Sequence, residues 1–379
     1  MHYLDHNATS PLRPEARAAV ERALDVGGNP SSVHARGRAA REIVEGAREQ
    51  VAVLAGADPA DVIFTSGGTE ANTLALCGAV AGAAEAGGRL TRLFVSAIEH
   101  DSILANATAL AERAAGLRVE IIPVAPDGMI DLAALRVQLR EGKGRALIAA
   151  MAANNETGVI QPIAEIASLT KEHGALLLID AIQAAGKIAL DYPYADYLTL
   201  SAHKIGGPQG VGALIAKRDA PLSAQILGGG QERGRRAGTE NLSGIAGFGA
   251  AAKAARNFDA PQVAALRDHF ESRLPKEAII FGANVPRLAN TSNFALPGLA
   301  AETAIIALDL DGVTVSSGAA CSSGKVKSSH VLKAMGVADE LASCALRVSF
   351  GWNSAEEDVY AAIASLQKLH SRIRARAAA

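Results

Sequence analysis

The sequence predicts an α/β fold, with a large, mostly parallel sheet wrapped by helices and a second, smaller α+β domain. Three observations lead there. Between residues 62 and 215 short apolar runs alternate with amphipathic helical stretches. Those runs are nearly continuous in apolar character, as expected of strands buried on both faces. Beyond about residue 258 helical segments mix with strand-like runs, which marks a change of architecture.

The first region offers strands at 62–65, 93–96, 119–124, 146–151, 176–179, 197–200 and 212–215, with stretches such as 70–86 and 163–173 reading as the helices between them. The second offers helices at 263–273, 302–308 and 356–374 and strands at 293–296, 313–316 and 346–350. The expected division is a large domain at 15–257 and a small one formed by 1–14 plus 258–379, although the segment 3–9 can pack with either. No internal repeat or low-complexity linker separates them, so the two should be closely joined.

At 379 residues, 49% of them hydrophobic, the chain is long enough for two cores. A formal net charge of −2 argues against a nucleic-acid surface, which needs a basic excess. The run Arg233, Arg235, Arg236 is too short to change that. Asp5, His6 and Asn7 interrupt any apolar signal core, and no apolar stretch is long enough for a membrane span. The cysteines Cys77, Cys321 and Cys344 cannot all pair and lack zinc-type spacing, so we expect a cytoplasmic protein with no intrinsic metal. Cys77 and Cys344 read as core thiols.

Lys204 stands in a Gly-rich loop beyond the strand at 197–200, where its amine can form a Schiff base with a cofactor aldehyde. A solvated surface lysine fits the same position. Its neighbours Ser201 and His203 can donate to a phosphate. Asp180 ends the run 176–179, where open α/β sheets place ligand-binding residues, and its carboxylate can pair with a pyridinium nitrogen. It can equally cap a helix. Gln183 is close enough in sequence to reach the ring's phenolic oxygen. Gly67, Gly68 and Thr69 open a helix after the strand at 62–65, which makes an anion site or an ordinary turn. His100 follows another strand, where an imidazole can stack on a planar ring and shuttle protons, or cap a helix. Cys321 lies among small residues with Lys325 nearby, a setting that favours an exposed, nucleophilic thiolate. Arg347, in the run 346–350, needs a carboxylate from protein or substrate.

Ten ordered segments together resemble the cysteine desulfurases of the NifS/IscS type, class V of the fold-type I PLP-dependent enzymes (PLP, pyridoxal 5′-phosphate). They are Tyr3-Leu4-Asp5-His6-Asn7-Ala8-Thr9, Asn29-Pro30-Ser31-Ser32-Val33-His34, Phe64-Thr65-Ser66-Gly67-Gly68-Thr69-Glu70, Glu99-His100, Asn154-Asn155-Glu156-Thr157-Gly158, Asp180-Ala181-Ile182-Gln183, Ser201-Ala202-His203-Lys204, Gly228-Gly229-Gly230-Gln231-Glu232-Arg233, Arg236-Ala237-Gly238-Thr239 and Ser317-Gly318-Ala319-Ala320-Cys321. The resemblance runs nearly end to end.

It implies a fold-type I transferase in which Lys204 carries PLP, Asp180 partners the ring nitrogen, Gln183 the phenolic oxygen, and His100 stacks on the ring. Gly68, Thr69, Ser201 and His203 would hold the phosphate, joined by Thr239 of the neighbouring subunit in a homodimer. Asn155 would contact substrate and cofactor, and Arg347 the carboxylate of L-cysteine. Cys321 would take the sulfur as a persulfide, leaving L-alanine, and pass it to an acceptor or iron–sulfur scaffold protein, with which it could transiently share a cluster. Two departures stand out. The loop reads Gly-Ala-Ala-Cys where many relatives have Gly-Ser-Ala-Cys, and the chain ends soon after the helix at 356–374, short of the longer scaffold-docking tail. A related PLP lyase or aminotransferase, which would not need Cys321, and a non-catalytic sulfur-relay protein are the competing expectations.

Overall fold

The structure, a computed structural model, describes residues 1–190, 193–317 and 329–377. Its strands are β1 (His2–Tyr3), β2 (Val62–Thr65), β3 (Leu90–Ser96), β4 (Arg118–Ile122), β5 (Arg145–Met151), β6 (Leu176–Asp180), β7 (Tyr197–Ser201), β8 (Gly212–Ala216), β9 (Ile279–Ile280), β10 (Thr291–Ala295), β11 (Val313–Thr314) and β12 (Ala345–Ser349). The helices that matter here are α1 (Pro14–Val26), α2 (Ala35–Ala55), α3 (Gly68–Glu85), α4 (Asp101–Arg113), α5 (Ala260–Ser272), α6 (Ala301–Leu310), α7 (His330–Ala334) and α8 (Glu356–Ala377).

Seven strands form one sheet in the order β2-β8-β7-β6-β5-β3-β4. From β7 to β4 every pairing is parallel, whereas β8 is antiparallel to both β7 and β2. Both faces are covered, which is why the strands carry no polar alternation. In β6, Leu177 and Ile179 enter one apolar cluster and Leu176 and Leu178 the other; β5 splits the same way, with Ile148 and Ala150 opposite Leu147 and Ala149. The parallel register sets Asp180 beside Met151 on one neighbour and Thr199 on the other. Ser201 and Thr65 flank Gly212 across β8. The ends of successive strands therefore meet along one edge. Gly212 is required there, because a Cβ on it would lie 2.6 Å from the carbonyl carbon of Gly67.

A third cluster packs β10, β12, α5, α6 and α8 around Phe270, Phe294 and Phe350. The N-terminus joins this end of the molecule. β1 pairs with β11, and Asp5 bridges to Ser349 of β12. Short β1 and β9 escaped the sequence reading because two residues carry no period. Cys344 is buried as expected, but Cys77 is only half-buried: its thiol reaches toward Asn106 beside the second cluster. No helix among the described residues is long and apolar enough to cross a membrane.

Candidate functional site

Beyond the strand ends lies a cavity of about 260 Å³, lined by Asn7, Ala8, Gly68, Thr69, His100, Ser102, Met151, Ala153, Asn155, Asp180, Ile182, Gln183, Ser201, His203, Lys204 and Arg347. Ten residues singled out in the sequence thus line one cavity. The start of α3 supplies Gly68 and Thr69, with no side chain capping its first N–H groups. A Cβ on Gly68 would sit 2.3 Å from Ile182 Cδ1 and 3.4 Å from Ser201 Cβ, so glycine keeps this cradle open.

Lys204 ends a short 3₁₀ turn after β7 and donates to the backbone oxygens of Asn7 (2.6 Å) and Ala8 (2.8 Å). Burial, followed by the nearby positive charge of Arg347, lowers its amine to about 8. His203 faces Thr9 Oγ1 at 3.1 Å; burial and then the Lys204 charge bring it down to about 4, so its imidazole is neutral at pH 7.

Asp180 and His100 are joined by residues the sequence reading missed. Asn72 Nδ2 donates to Asp180 Oδ2 (2.8 Å) and to Ser102 Oγ (2.9 Å), while its Oδ1 accepts from Thr199 Oγ1 (2.6 Å). The Ser102 hydroxyl and backbone N–H both meet His100 Nδ1, at 2.8 and 3.1 Å. Nδ1 is therefore an acceptor, which leaves Nε2 as the nitrogen that carries a proton. The capping reading holds for His100, the N-cap of α4; Asp180 Oδ1 accepts from the N–H of Ile182 at 3.0 Å, but a turn and not a helix follows it. A polar residue at 72, inside an Ala- and Leu-rich helix one turn beyond Thr69, was the available signal for Asn72.

Arg347 comes from β12 and is 1% exposed. Its Nη2 pairs with Asp5 Oδ1 at 2.6 Å and its Nη1 donates to the Asn155 backbone oxygen at 3.0 Å. Among the described residues its Nε has no partner. Asn7 ties this side together: its Nδ2 donates to Thr291 Oγ1 (2.9 Å) and Asn155 O (3.2 Å), and its Oδ1 accepts from Asn290. Close by, Glu99 is fully buried. Its Oε1 accepts from Ser96 Oγ and Met151 N–H, its Oε2 has no described partner, and burial raises the carboxyl to about 8.

One expected site residue lies elsewhere and another is not among the described residues. Thr239 does not line this cavity; it borders a separate cleft with Ser66, Arg236 and Glu240. Cys321 lies outside the described residues. A roomier cleft of about 490 Å³ beside Arg41 and Arg233 holds the ion pair Arg48–Glu232, whose charges are already mutually satisfied.

Comparison with known proteins agrees with this geometry. Residues 2–361 match the family Aminotransferase class-V. A cysteine desulfurase of Cereibacter sphaeroides is 44% identical over 94% of this chain and 92% of its own. An IscS-like cysteine desulfurase of Mycobacterium tuberculosis is 39% identical, covering 99% of this chain and 97% of its own. Among solved structures, a NifS-like protein from Rickettsia africae superimposes with a TM-score of 0.87 at 34% identity, over 98% of this chain and 99% of that one. The chain belongs to the aminotransferase class-V family of PLP-dependent enzymes and, within it, to the cysteine desulfurases.

Proposed function

We propose that the cavity around Lys204 binds PLP and L-cysteine, and that Cys321 receives the sulfur. One observation carries this reading: a depressed amine, a buried carboxylate, a neutral imidazole and a guanidinium whose Nε has no partner among the described residues converge on one cavity. The donor set fits the cofactor. Gly68, Thr69, Ser201 and the neutral His203 would hold the phosphate at the start of α3. Asp180, fixed by Asn72 and Ile182 N–H, would keep the ring nitrogen protonated, and Gln183 would donate to the phenolic oxygen. His100 would lie against the ring with Nε2–H available.

When bound, PLP supplies an electron sink that makes the substrate Cα–H acidic. Arg347 and Asn155 would orient the substrate carboxylate. Lys204 Nζ would take the Cα proton, since an amine near 8 is about one-tenth unprotonated at pH 7, far more than an ordinary lysine amine. The Cys321 thiolate would then attack the substrate sulfur. A new S–S bond forms as the Cβ–S bond breaks, leaving a Cys321 persulfide, while protonation of the remaining carbon skeleton gives L-alanine. The persulfide sulfur would pass to an acceptor or iron–sulfur scaffold protein.

The position of Thr239 away from this cavity suits a homodimer in which it completes the phosphate site of the neighbouring subunit. We assign residues 15–257 to a large domain and 1–14 plus 258–379 to a small one, and place the protein in the cytoplasm. Incubation of the purified protein with L-cysteine should yield alanine in step with a sulfur adduct that mass spectrometry maps to Cys321. Lys204→Ala should lower turnover by about a thousand-fold. Alanine formation without an adduct on Cys321, or unchanged turnover in Cys321→Ala, would reject the sulfur route.

A further inference from the structure

Lys187 has no part in the mechanism above, yet its side chain lies beside the site. Nζ donates to the Gln183 backbone oxygen at 2.9 Å and to Gln183 Oε1 at 3.3 Å. An ammonium only donates, so the amide oxygen must face Lys187. The amide nitrogen is thereby turned the other way, where Nε2 donates to Asn7 O at 2.9 Å. That carbonyl also receives Lys204 Nζ at 2.6 Å. Gln183 lines the cavity, and with one N–H on Asn7 it has a second to offer there. A cation on the oxygen also polarises the amide and strengthens the N–H as a donor.

We propose that Lys187 is a positioning residue for the cofactor site: it anchors Gln183 Oε1 and so aims a polarised Gln183 N–H at the phenolic oxygen of bound PLP. This rests on the site assignment given above. The arrangement gathers positive charge at some expense. Lys204 and Arg347 both repel Lys187, and with burial as the larger cause they lower its amine to about 7. His6 feels Lys187 in turn, and Arg13 borders the same water-sized cavity of about 20 Å³ behind Lys204. Asp5 and Asp180 act on Lys204 in the opposite sense. A structural filler at 187 would not need a donor aimed at one amide oxygen.

The test is a double-mutant cycle read by absorbance. The pH midpoint of the chromophore formed by bound PLP and Lys204 is measured for the wild type, Lys187→Met, Gln183→Ala and the double variant. A donor on the phenolic oxygen favours its ionised form, so losing it raises the midpoint. Each single variant should shift upward by about one pH unit, the equivalent of one hydrogen bond to a charged group. The double variant should shift no further than Gln183→Ala. An additive shift would mean that the Lys187 charge acts on Lys204 directly, and no shift in Lys187→Met would mean that it does nothing; either overturns the proposal. Should Lys187→Met not fold, Lys187→Leu, which also lacks a donor, runs the same cycle with the same criterion. Failure of the site assignment itself looks different, as a chromophore that persists in Lys204→Ala.

Discussion

The two walls of the Lys204 cavity are held in place by different kinds of contact. On the sheet side, Thr69, Asp180, Ser201 and Lys204 lie at or just beyond the ends of β2, β6 and β7, so strand register alone brings them together. On the opposite side, Asn7, Asn155 and Arg347 meet through hydrogen bonds between distant parts of the chain: Asn7 N–H to Ser349 Oγ, Asn7 Oδ1 to Asn290, Arg347 to Asp5. A sheet edge tolerates the loss of one side chain, because its backbone ladder remains. A wall assembled from side-chain bonds does not. The first wall should therefore report mutations as lost chemistry, and the second as lost binding and lost stability together.

The sharpest break in that comparison is Arg347→Met. It removes the cation proposed to bind the substrate carboxylate, takes from Asp5 its ion-pair partner and leaves the Asn155 carbonyl with Asn7 alone. Losing a buried charge-assisted contact costs about 3 kcal/mol, which corresponds to about a hundred-fold rise in KM for L-cysteine. The bond network should weaken as well, lowering stability by about 1–3 kcal/mol in denaturant titrations. A variant with unchanged KM but lower stability would make Arg347 a purely structural ion pair.

A matched pair of asparagines separates the walls more finely. Asn72→Ala strips a donor from Asp180, leaves Thr199 Oγ1 without its acceptor and leaves the Ser102 hydroxyl with His100 alone, all at the sheet edge. Its effect should fall on kcat, by about ten-fold, because Asp180 and the His100 tautomer lose their common anchor. Asn290→Ala instead strands Asn7 Oδ1 and the Phe350 carbonyl. Here the loss should appear mainly in unfolding free energy, by about 2 kcal/mol, with kcat changed by less than about three-fold. If the two variants showed the same split between kcat and stability, the distinction between the walls would fail.

That difference also explains what the sequence made legible. The apolar runs at 62–65, 176–179 and 197–200 overlap β2, β6 and β7, because strands buried on both faces must be apolar throughout. Asp180 stood out because it directly follows such a run, and Lys204 because it stands in the Gly-rich loop beyond another. Asn7, Ala8 and Asn72 did not stand out as contributors to the cavity. Asn7 acts through contacts as remote as Ser349, and Ala8 through its backbone oxygen on Lys204, which any residue could provide. Asn72 sits in a helix whose pattern only announces burial. Arg347 was visible as an inward arginine in a strand, but its partner Asp5 is 342 residues away in sequence, beyond any local period. Lys187 was passed over for a related reason: its meaning lies in which atom of Gln183 it touches, and spacing does not carry that.

A pH-dependent effect is expected of Glu99, which links Ser96 at the end of β3 to Met151 at the end of β5. Its carboxyl is held up to about 8 against an ordinary 4.5, first by burial and further by the charge on Asp180. Below pH 4.5 folded and unfolded chains both hold this proton, and the group has no effect on stability. Between 4.5 and 8 the unfolded chain releases it while the folded chain keeps it, so this group takes stability away as pH rises. Above 8 the folded carboxyl ionises too, and the loss levels off. Glu99→Gln keeps the side-chain oxygen that accepts from Ser96 and Met151 but cannot ionise. Its melting temperature should match the wild type near pH 4.5, rise above it progressively toward pH 8, and then hold a constant lead. A difference that stays flat from pH 5 to 8 would mean that Glu99 is already charged in the folded protein. Asp180 would then face a second carboxylate across the edge of the sheet, and the sheet wall would depend on balanced charge instead of strand register alone.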